Sequence, residues 1–93
     1  MRRTLHATTA FSRGTKRLLR KWPEMTGDLE AALQLLAEAF RHPSLKSHKL
    51  KGNLEGLWAA SLGYDLRIVF ELVEWEGSEG ILLHTLGPHD EVY

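Results

Sequence analysis

The spacing of the apolar residues changes from helical to alternating near Pro43, and that change limits the possible folds more than any other feature. From residue 13 to 41 the apolar residues recur every three or four positions, which is typical of amphipathic helices. After residue 44 they alternate with polar residues between turn signals, which predicts strands. Because residues 4–11 also alternate, the predicted order is β-α-α-β-β-β. This is an α+β fold with an antiparallel or mixed sheet of about four to five strands and an N-terminal helical hairpin on one face.

The helical part divides at Pro23 into two helices joined by a short connection. Ser12 is the predicted N-cap of the first helix, residues 13–22. Its apolar side carries Phe11, Thr15, Leu18, Leu19 and Trp22. Its opposite side carries only cations: Arg13, Lys16, Arg17, Arg20 and Lys21. The second helix, about residues 26–41, has a stripe for burial: Leu29, Leu33, Leu36 and Phe40.

Four segments after the helices predict strands or extended chain: 45–51, 57–62, 65–73 and 80–86. In the third of these, one face is apolar and is expected to contact the helices: Leu66, Ile68, Phe70 and Leu72. The other face is mostly polar: Asp65, Arg67, Val69 and Glu71. The tryptophans Trp22 and Trp58 are predicted to be buried, whereas Trp75 lies between two glutamates and is predicted to be exposed.

Charge is distributed unevenly, although the 93-residue chain, one domain by its length, has a net charge of zero. Residues 1–52 hold eleven Lys and Arg against four Asp and Glu, a net +7. Residues 53–93 hold one against eight, a net −7. A basic half favours a polyanionic partner, unless the two halves intermix in the fold and their fields cancel. With no cysteine and no apolar run near the roughly 20 residues of a membrane span, we expect a cytoplasmic protein without a membrane partner.

Five residues between positions 48 and 93 have the chemistry that metal-free RNA cleavage needs. Asp65 and Arg67 are two apart on one predicted strand, so their side chains share a face about 7 Å apart. His48 lies in a basic arm, and His89 and Tyr93 follow the last strand. If these groups converge, two of them transfer the protons of the 2′-hydroxyl and the leaving 5′-oxygen, and the arginine stabilises the phosphorane. The tyrosine would stack on a base.

Each of these features also has an alternative interpretation. Asp65 and Arg67 would form an ordinary surface ion pair. His89 and Tyr93 would only cap the last strand. Metal ligation by His48, Asp65 and His89 is a further alternative, although no tight motif supports it. The other three histidines are interpreted as structural or solvated residues: His6, His42 and His84.

Four segments carry a more specific pattern: residues 44–52 (SLKSHKLKG), 56–58 (GLW), 64–71 (YDLRIVFE) and 87–93 (GPHDEVY). Together with the basic first helix and the order of elements, they resemble the RelE/ParE superfamily of bacterial toxins, in particular its YafQ-like RelE/StbE branch. The resemblance covers essentially the whole chain. It implies a RelE-like fold and the toxin of a type II toxin–antitoxin system. Such toxins cut mRNA on the ribosome without a metal ion or another cofactor.

The resemblance also implies roles for individual residues. It carries over His48, Asp65 and His89 as the acid/base set, Arg67 as the group at the scissile phosphate, and Tyr93 as the aromatic ring against the substrate base. Substrate binding is expected from the cations of the first helix and the basic arm: Arg13, Lys16, Arg17, Arg20, Lys49 and Lys51. The implied partners are mRNA, the ribosome and a cognate antitoxin protein in a hetero-oligomeric complex. We expect an acidic or amphipathic antitoxin segment to cover the cationic side of the first helix.

The sequence departs from the family pattern at two positions near the predicted site. Pro88 stands where relatives often have threonine, and Ser61 stands where one YafQ-type pattern has a further histidine. Two alternative functions remain open at this point. One is a ParE-like toxin that binds DNA gyrase and has no nuclease site. The other is a weakened family member that only binds its antitoxin.

Overall fold

The computed structural model describes residues 2–63 and 65–88, which form a five-stranded mixed sheet with two helices on one face. The helices are α1 (Thr9–Lys21) and α2 (Thr26–Ala39), and the strands are β1 (Thr4–Ala7), β2 (His48–Lys49), β3 (Trp58–Leu62), β4 (Leu66–Trp75) and β5 (Ser78–Pro88). The order across the sheet is β1-β5-β4-β3-β2. β1 is parallel to β5, and the other pairs are antiparallel. The predicted α+β fold with a helical hairpin is confirmed.

The first strand is shorter than predicted, and the first helix begins earlier. β1 ends at Ala7, and the N-cap of α1 is Thr8, not Ser12. The Thr8 hydroxyl accepts a hydrogen bond from the backbone N–H of Phe11 at 3.1 Å and donates one to the carbonyl of His84 at 2.7 Å. The prediction was wrong because the bond that selects Thr8 joins residues 76 positions apart.

α1 packs closely on β5 because Gly14 has no side chain. A Cβ atom at Gly14 would lie 2.7 Å from the carbonyl oxygen of Leu86. Phe11 and Leu18 are buried beside this contact. The cations on the other side of α1 are all exposed, as predicted.

α2 buries the predicted stripe against the same sheet face. Leu29 and Leu36 are buried, and Leu33 and Phe40 pack against the core that these residues join. No helix in the described part of the chain is long and apolar enough to cross a membrane. Trp22, predicted to be buried, is 42% exposed. Its backbone leaves the helical conformation at the C-cap of α1, with φ −133° and ψ 76°, so its side chain does not continue the apolar side of that helix.

β5 contains one more residue than the segment of β4 that it pairs with. Val69 pairs with Thr85 and Phe70 with Leu83, so His84 is an extra residue in a β-bulge. The bulge interrupts the alternation of side chains along the strand. As a result Leu83 and Leu86, three residues apart, both lie in the core. Regular alternation along residues 80–86 would instead have placed Leu86 on the same face as His84.

Leu72 was predicted to be buried with the other apolar residues of β4, but it is 36% exposed. The reason is the length of β3, which begins at Trp58, opposite Phe70. Beyond that pair β3 does not cover β4, and Leu72 loses a neighbour on one side. Trp58 is buried and Trp75 is 57% exposed, as predicted.

Replacing Gly14 with alanine should lower the free energy of unfolding by about 1–3 kcal/mol, because the added Cβ would clash with the backbone of β5. Gly27→Ala is the matched control, since Gly27 is also helical and no atom lies within 4 Å of a Cβ added there. Alanine is a better helix former than glycine, so the control should be neutral or stabilised by up to about 1 kcal/mol. Urea denaturation measures the free energy of unfolding of both variants and of the wild-type chain. Equal stabilities would contradict the close approach of α1 to β5.

Candidate functional site

The sheet face that the helices leave uncovered, here called the open face, carries predicted catalytic residues on neighbouring strands. His48 of β2 pairs with Ala59 of β3, and Ser61, two residues further along β3, pairs with Arg67 of β4. Paired residues, and residues two apart on one strand, project from the same face of a sheet. Trp58, next to Ala59, belongs to the core beneath the helices. His48, Ser61 and Arg67 therefore project from the open face.

The register also determines how far apart His48 and Arg67 lie. Two strand spacings and two residues along β3 place their Cα atoms roughly 12 Å apart. The residues between them on β3, Ala59 and Ser61, are small. Ala59 is itself fully buried, so a bound group would contact the outer parts of the His48 and Arg67 side chains and not the strand between them.

His48 is exposed and is oriented by a backbone contact. Its Nδ1 lies 3.2 Å from the carbonyl oxygen of Lys46. A carbonyl can only accept a hydrogen bond, so the neutral ring carries its proton on Nδ1. Nε2 is then the basic nitrogen of the ring. Lys46 makes this contact from a left-handed conformation, φ 50°, which ends the short 3₁₀ turn Pro43–Leu45 before β2.

Arg67 is half-buried, and its positive charge is not neutralised by a carboxylate in the described part of the chain. Its Nη1 donates a hydrogen bond to the carbonyl of Leu66 at 3.1 Å. Asp65 is exposed in the turn that precedes β4 and forms no salt bridge with Arg67. The alternative of a structural ion pair between these two residues is thus not observed. A guanidinium in this setting suits an oxyanion, because its planar fork bonds two oxygens at once.

The predicted substrate-binding cations lie elsewhere on the molecule. α1 packs against the helix side of the sheet, so its four predicted residues are exposed on that side: Arg13, Lys16, Arg17 and Arg20. Lys49 pairs with Trp58, and its Nζ lies 5.6 Å from the centre of that ring, also on the helix side. Lys51 is exposed in the loop after β2. The structure does not bring these cations to the open face beside His48 and Arg67.

His89 and Tyr93 lie outside the described residues, so their predicted roles stay predictions. Over residues 2–63 and 65–88, no three His, Asp or Glu side chains come close enough together to hold a metal ion. Sequence reasoning did not assign Ser61 to the site, although it projects between His48 and Arg67. The sequence signal for Ser61 was that it stands where one YafQ-type pattern has a further histidine, and the strand register shows that this position lies on the open face.

The other end of the open face holds two of the three histidines that were interpreted as structural or solvated. His84 Nε2 lies 2.9 Å from a carboxylate oxygen of Glu71, and the His6 ring lies 4.9 Å from the exposed ring of Trp75. The third, His42, is exposed and accepts a hydrogen bond from the backbone N–H of Ser44. Each of these rings has a local structural contact, in agreement with the prediction that they are structural or solvated.

Comparison with known proteins gives matches among solved structures only. No family model matches the chain. No curated protein sequence matches it either. The toxin–antitoxin complex DinJ–YafQ of E. coli includes a chain 19% identical, with a TM-score of 0.77 and coverage of 100% of this chain and 99% of that one. The YoeB/ParE toxin of Agrobacterium tumefaciens is 15% identical, with a TM-score of 0.78 and coverage of 92% and 98%. A metal-bound toxin of Helicobacter pylori is 26% identical, with a TM-score of 0.76 and full coverage of both chains.

These structures are toxins of the RelE/ParE superfamily, and the chain has their fold over nearly its whole length. The resemblance seen in the sequence motifs is confirmed.

The hydrogen bonds of the two best-oriented histidines predict opposite tautomers. In its neutral form, His48 should carry the ring proton on Nδ1 and His84 should carry it on Nε2. The reason is that a backbone carbonyl accepts from the first nitrogen and a carboxylate accepts from the second. Long-range ¹H–¹⁵N correlation spectra distinguish the two forms. In Glu71→Gln the preference of His84 should weaken while that of His48 persists, and the same tautomer at both positions would contradict the described site.

Proposed function

We propose that this chain is the toxin of a type II toxin–antitoxin pair and that it cleaves mRNA bound to the ribosome. The observation that carries the proposal is the pairing of β2, β3 and β4, which places His48 and Arg67 on one open face of a fold shared with toxins. A base and a guanidinium that no carboxylate of the described residues neutralises, on one face of the sheet, are suited to a phosphodiester. The open face is not covered by α1 or α2, and His48 is exposed on it, so the proposal has the RNA strand approach from this side.

The proposed reaction begins at the 2′-hydroxyl of the nucleotide that precedes the cleaved bond. His48 Nε2 takes the hydroxyl proton, and the 2′-oxygen forms a bond to the adjacent phosphorus. Arg67 stabilises the additional negative charge of the phosphorane. The bond from phosphorus to the 5′-oxygen then breaks, and this oxygen takes a proton from the general acid. The products are a 2′,3′-cyclic phosphate and a 5′-hydroxyl, and no step requires a metal ion.

Three further residues are part of the proposed site, one of them described by the structure and two assigned from the sequence motif alone. Asp65 completes the acid/base set and is exposed two residues before Arg67. His89 is proposed as the general acid and Tyr93 as the ring that stacks on a base. Both assignments rest on the sequence motif, because these two residues lie outside the described ones.

The cations of α1 are proposed to bind phosphates at a distance from the bond that is cut. They are exposed, and they project from the helix side of the sheet. A ribosome-bound substrate presents ribosomal RNA around the mRNA, so a surface remote from the catalytic residues can still contact phosphates. Such contacts add affinity that depends on salt concentration and do not specify sequence.

A cognate antitoxin is the proposed protein partner. One similar structure is a toxin–antitoxin complex of E. coli. The chain combines an exposed basic helix with a proposed catalytic face, and a tightly bound partner would keep the toxin away from its ribosome-bound substrate.

Substituting the proposed proton-transfer residues should abolish toxicity. Induced expression of the wild-type chain should arrest growth and shorten translated mRNAs, whereas His48→Ala and His89→Ala should lower cleavage by about 10²–10⁴-fold each. Growth curves and mapping of mRNA 5′ ends measure both effects. His84→Ala is the matched control, because His84 contacts Glu71 at the other end of the open face. Full toxicity in the two catalytic variants would refute the nuclease assignment and would fit a toxin that acts by binding.

Substitution of the catalytic cation should lower the cleavage rate, whereas substitution of the binding cations should lower the affinity for the ribosome. Arg67→Ala should lower the single-turnover cleavage rate by about 10²–10³-fold and leave ribosome affinity nearly unchanged, because its charge matters most when the phosphorane forms. Lys16→Ala combined with Arg20→Ala should instead weaken ribosome binding and reduce the slope of affinity against salt by about 1 per lost contact. Equal losses of affinity in both variants would contradict this division of roles.

A further inference from the structure

β4 is only half paired on the side of β3. Its register with β5 runs from Leu66 to Trp75, whereas its register with β3 stops at Phe70. The chain before β3 turns away from β4 through a short 3₁₀ turn. Among the described residues, no strand pairs with positions 71–75 on this side. The backbone N–H and C=O groups of such an edge can pair with an added strand.

A groove of about 770 Å³ lies beside this unpaired half of β4 and is here called the β4 groove. It lies on the helix side of the sheet, between β4, the start of β3 and the loop that follows β2. Its apolar lining includes Leu57, Trp58 and Leu72, and its cations are Arg41, Lys49 and Lys51. Glu55 is the one carboxylate among its lining residues. The groove thus combines partly exposed aliphatic surface with an excess of positive charge.

The cations of the β4 groove also decide which class of macromolecule fits it. The Arg41 guanidinium lies 5.2 Å and Lys49 Nζ lies 5.6 Å from the centre of the Trp58 ring. The ring is only 9% exposed, so it offers no open face on which a nucleobase could stack. Leu72 is 36% exposed, so it offers a bound partner more apolar surface than Trp58 does. This arrangement favours an acidic peptide with aliphatic side chains over RNA.

A second copy of this chain is a poorer occupant. Two β4 edges that paired with each other would bring Glu71 and Glu74 of both copies close together. Like charges on opposing strands destabilise a sheet. The three cations of the β4 groove would also stay without carboxylate partners.

We infer that the β4 groove binds an extended acidic segment of the antitoxin, which adds a strand to the free half of β4. This inference rests on the proposed pairing with an antitoxin and names the surface that the pairing uses. Side chains of the added strand that point to the helix side would lie over Leu72 and present carboxylates to Arg41 and Lys51. The cations of α1 then remain for RNA, which differs from the expectation that the antitoxin covers α1.

Hydrogen exchange of the purified complex tests the added strand directly. The probe is the protein encoded by the reading frame adjacent to that of the toxin, co-expressed and co-purified with the full chain. Backbone amides within residues 71–75 that face the free edge should exchange at least about tenfold more slowly in the complex than in the free chain, because new interstrand hydrogen bonds protect them. The tight turn at Gly77 should show no change.

Charge reversal gives the second arm of the test. Arg41→Glu with Lys51→Glu should weaken antitoxin binding by about tenfold or more, since two attractive ion pairs become repulsive. The matched variant, Lys16→Glu with Arg20→Glu, reverses two exposed cations of α1 and should change this affinity by less than about twofold. Circular dichroism confirms that each variant is folded, and calorimetric titration measures the affinities.

The other outcomes overturn the inference in distinguishable ways. A complex without protection of residues 71–75, or an equal loss of affinity in the α1 variant, would refute the β4 groove as the docking surface while leaving the toxin–antitoxin pairing intact. Protection of the same amides by poly-uridine would assign the surface to RNA. Protection that grows with the concentration of the free chain would assign it to a second copy. If the two proteins form no complex, both the proposed pairing and this inference fail.

Discussion

The pairing of β4 with β5 along both strands, interrupted by the bulge at His84, is the constraint on which the rest of the structure depends. The bulge places Leu83 and Leu86 on the core side together. It also presents the His84 carbonyl to the hydroxyl of Thr8, and this bond determines where α1 begins. About two turns further along α1, Gly14 lies against the carbonyl of Leu86. The site where α1 contacts the sheet is therefore decided by one extra residue in β5.

With the helices held on one face, the chemistry of the sheet divides between its two sides. The open face carries His48, Ser61 and Arg67 on three adjacent strands. The helix side carries the core and, at its margin, the β4 groove. A guanidinium such as that of Arg67, for which the described residues supply no carboxylate partner, contributes little to folding stability but is suited to binding an anion. The open face is thus better understood as a binding surface than as a stabilising one.

β2 contributes one residue to each face of the sheet. Its two residues, His48 and Lys49, point to opposite faces of the sheet. The histidine joins the proposed catalytic residues, and the lysine lies over the Trp58 ring beside the β4 groove. In the proposed division of roles, nuclease chemistry and antitoxin binding are controlled by neighbouring residues on opposite faces, so a partner can occupy one face without contacting the catalytic side chains of the other.

The sequence by itself determined the order of elements, the buried stripe of α2 and the exposed cationic side of α1, because these follow from local periodicity. Its motifs also named His48, Asp65 and Arg67. Only the tertiary structure decided that His48 and Arg67 share a face while Lys49 does not, because strand register joins residues distant in the chain. The same holds for the N-cap at Thr8, the bulge at His84 and the exposure of Leu72. The N-cap and the bulge depend on hydrogen bonds between segments far apart in sequence, and the exposure of Leu72 depends on where the neighbouring strand begins. Local periodicity carries no information about such contacts.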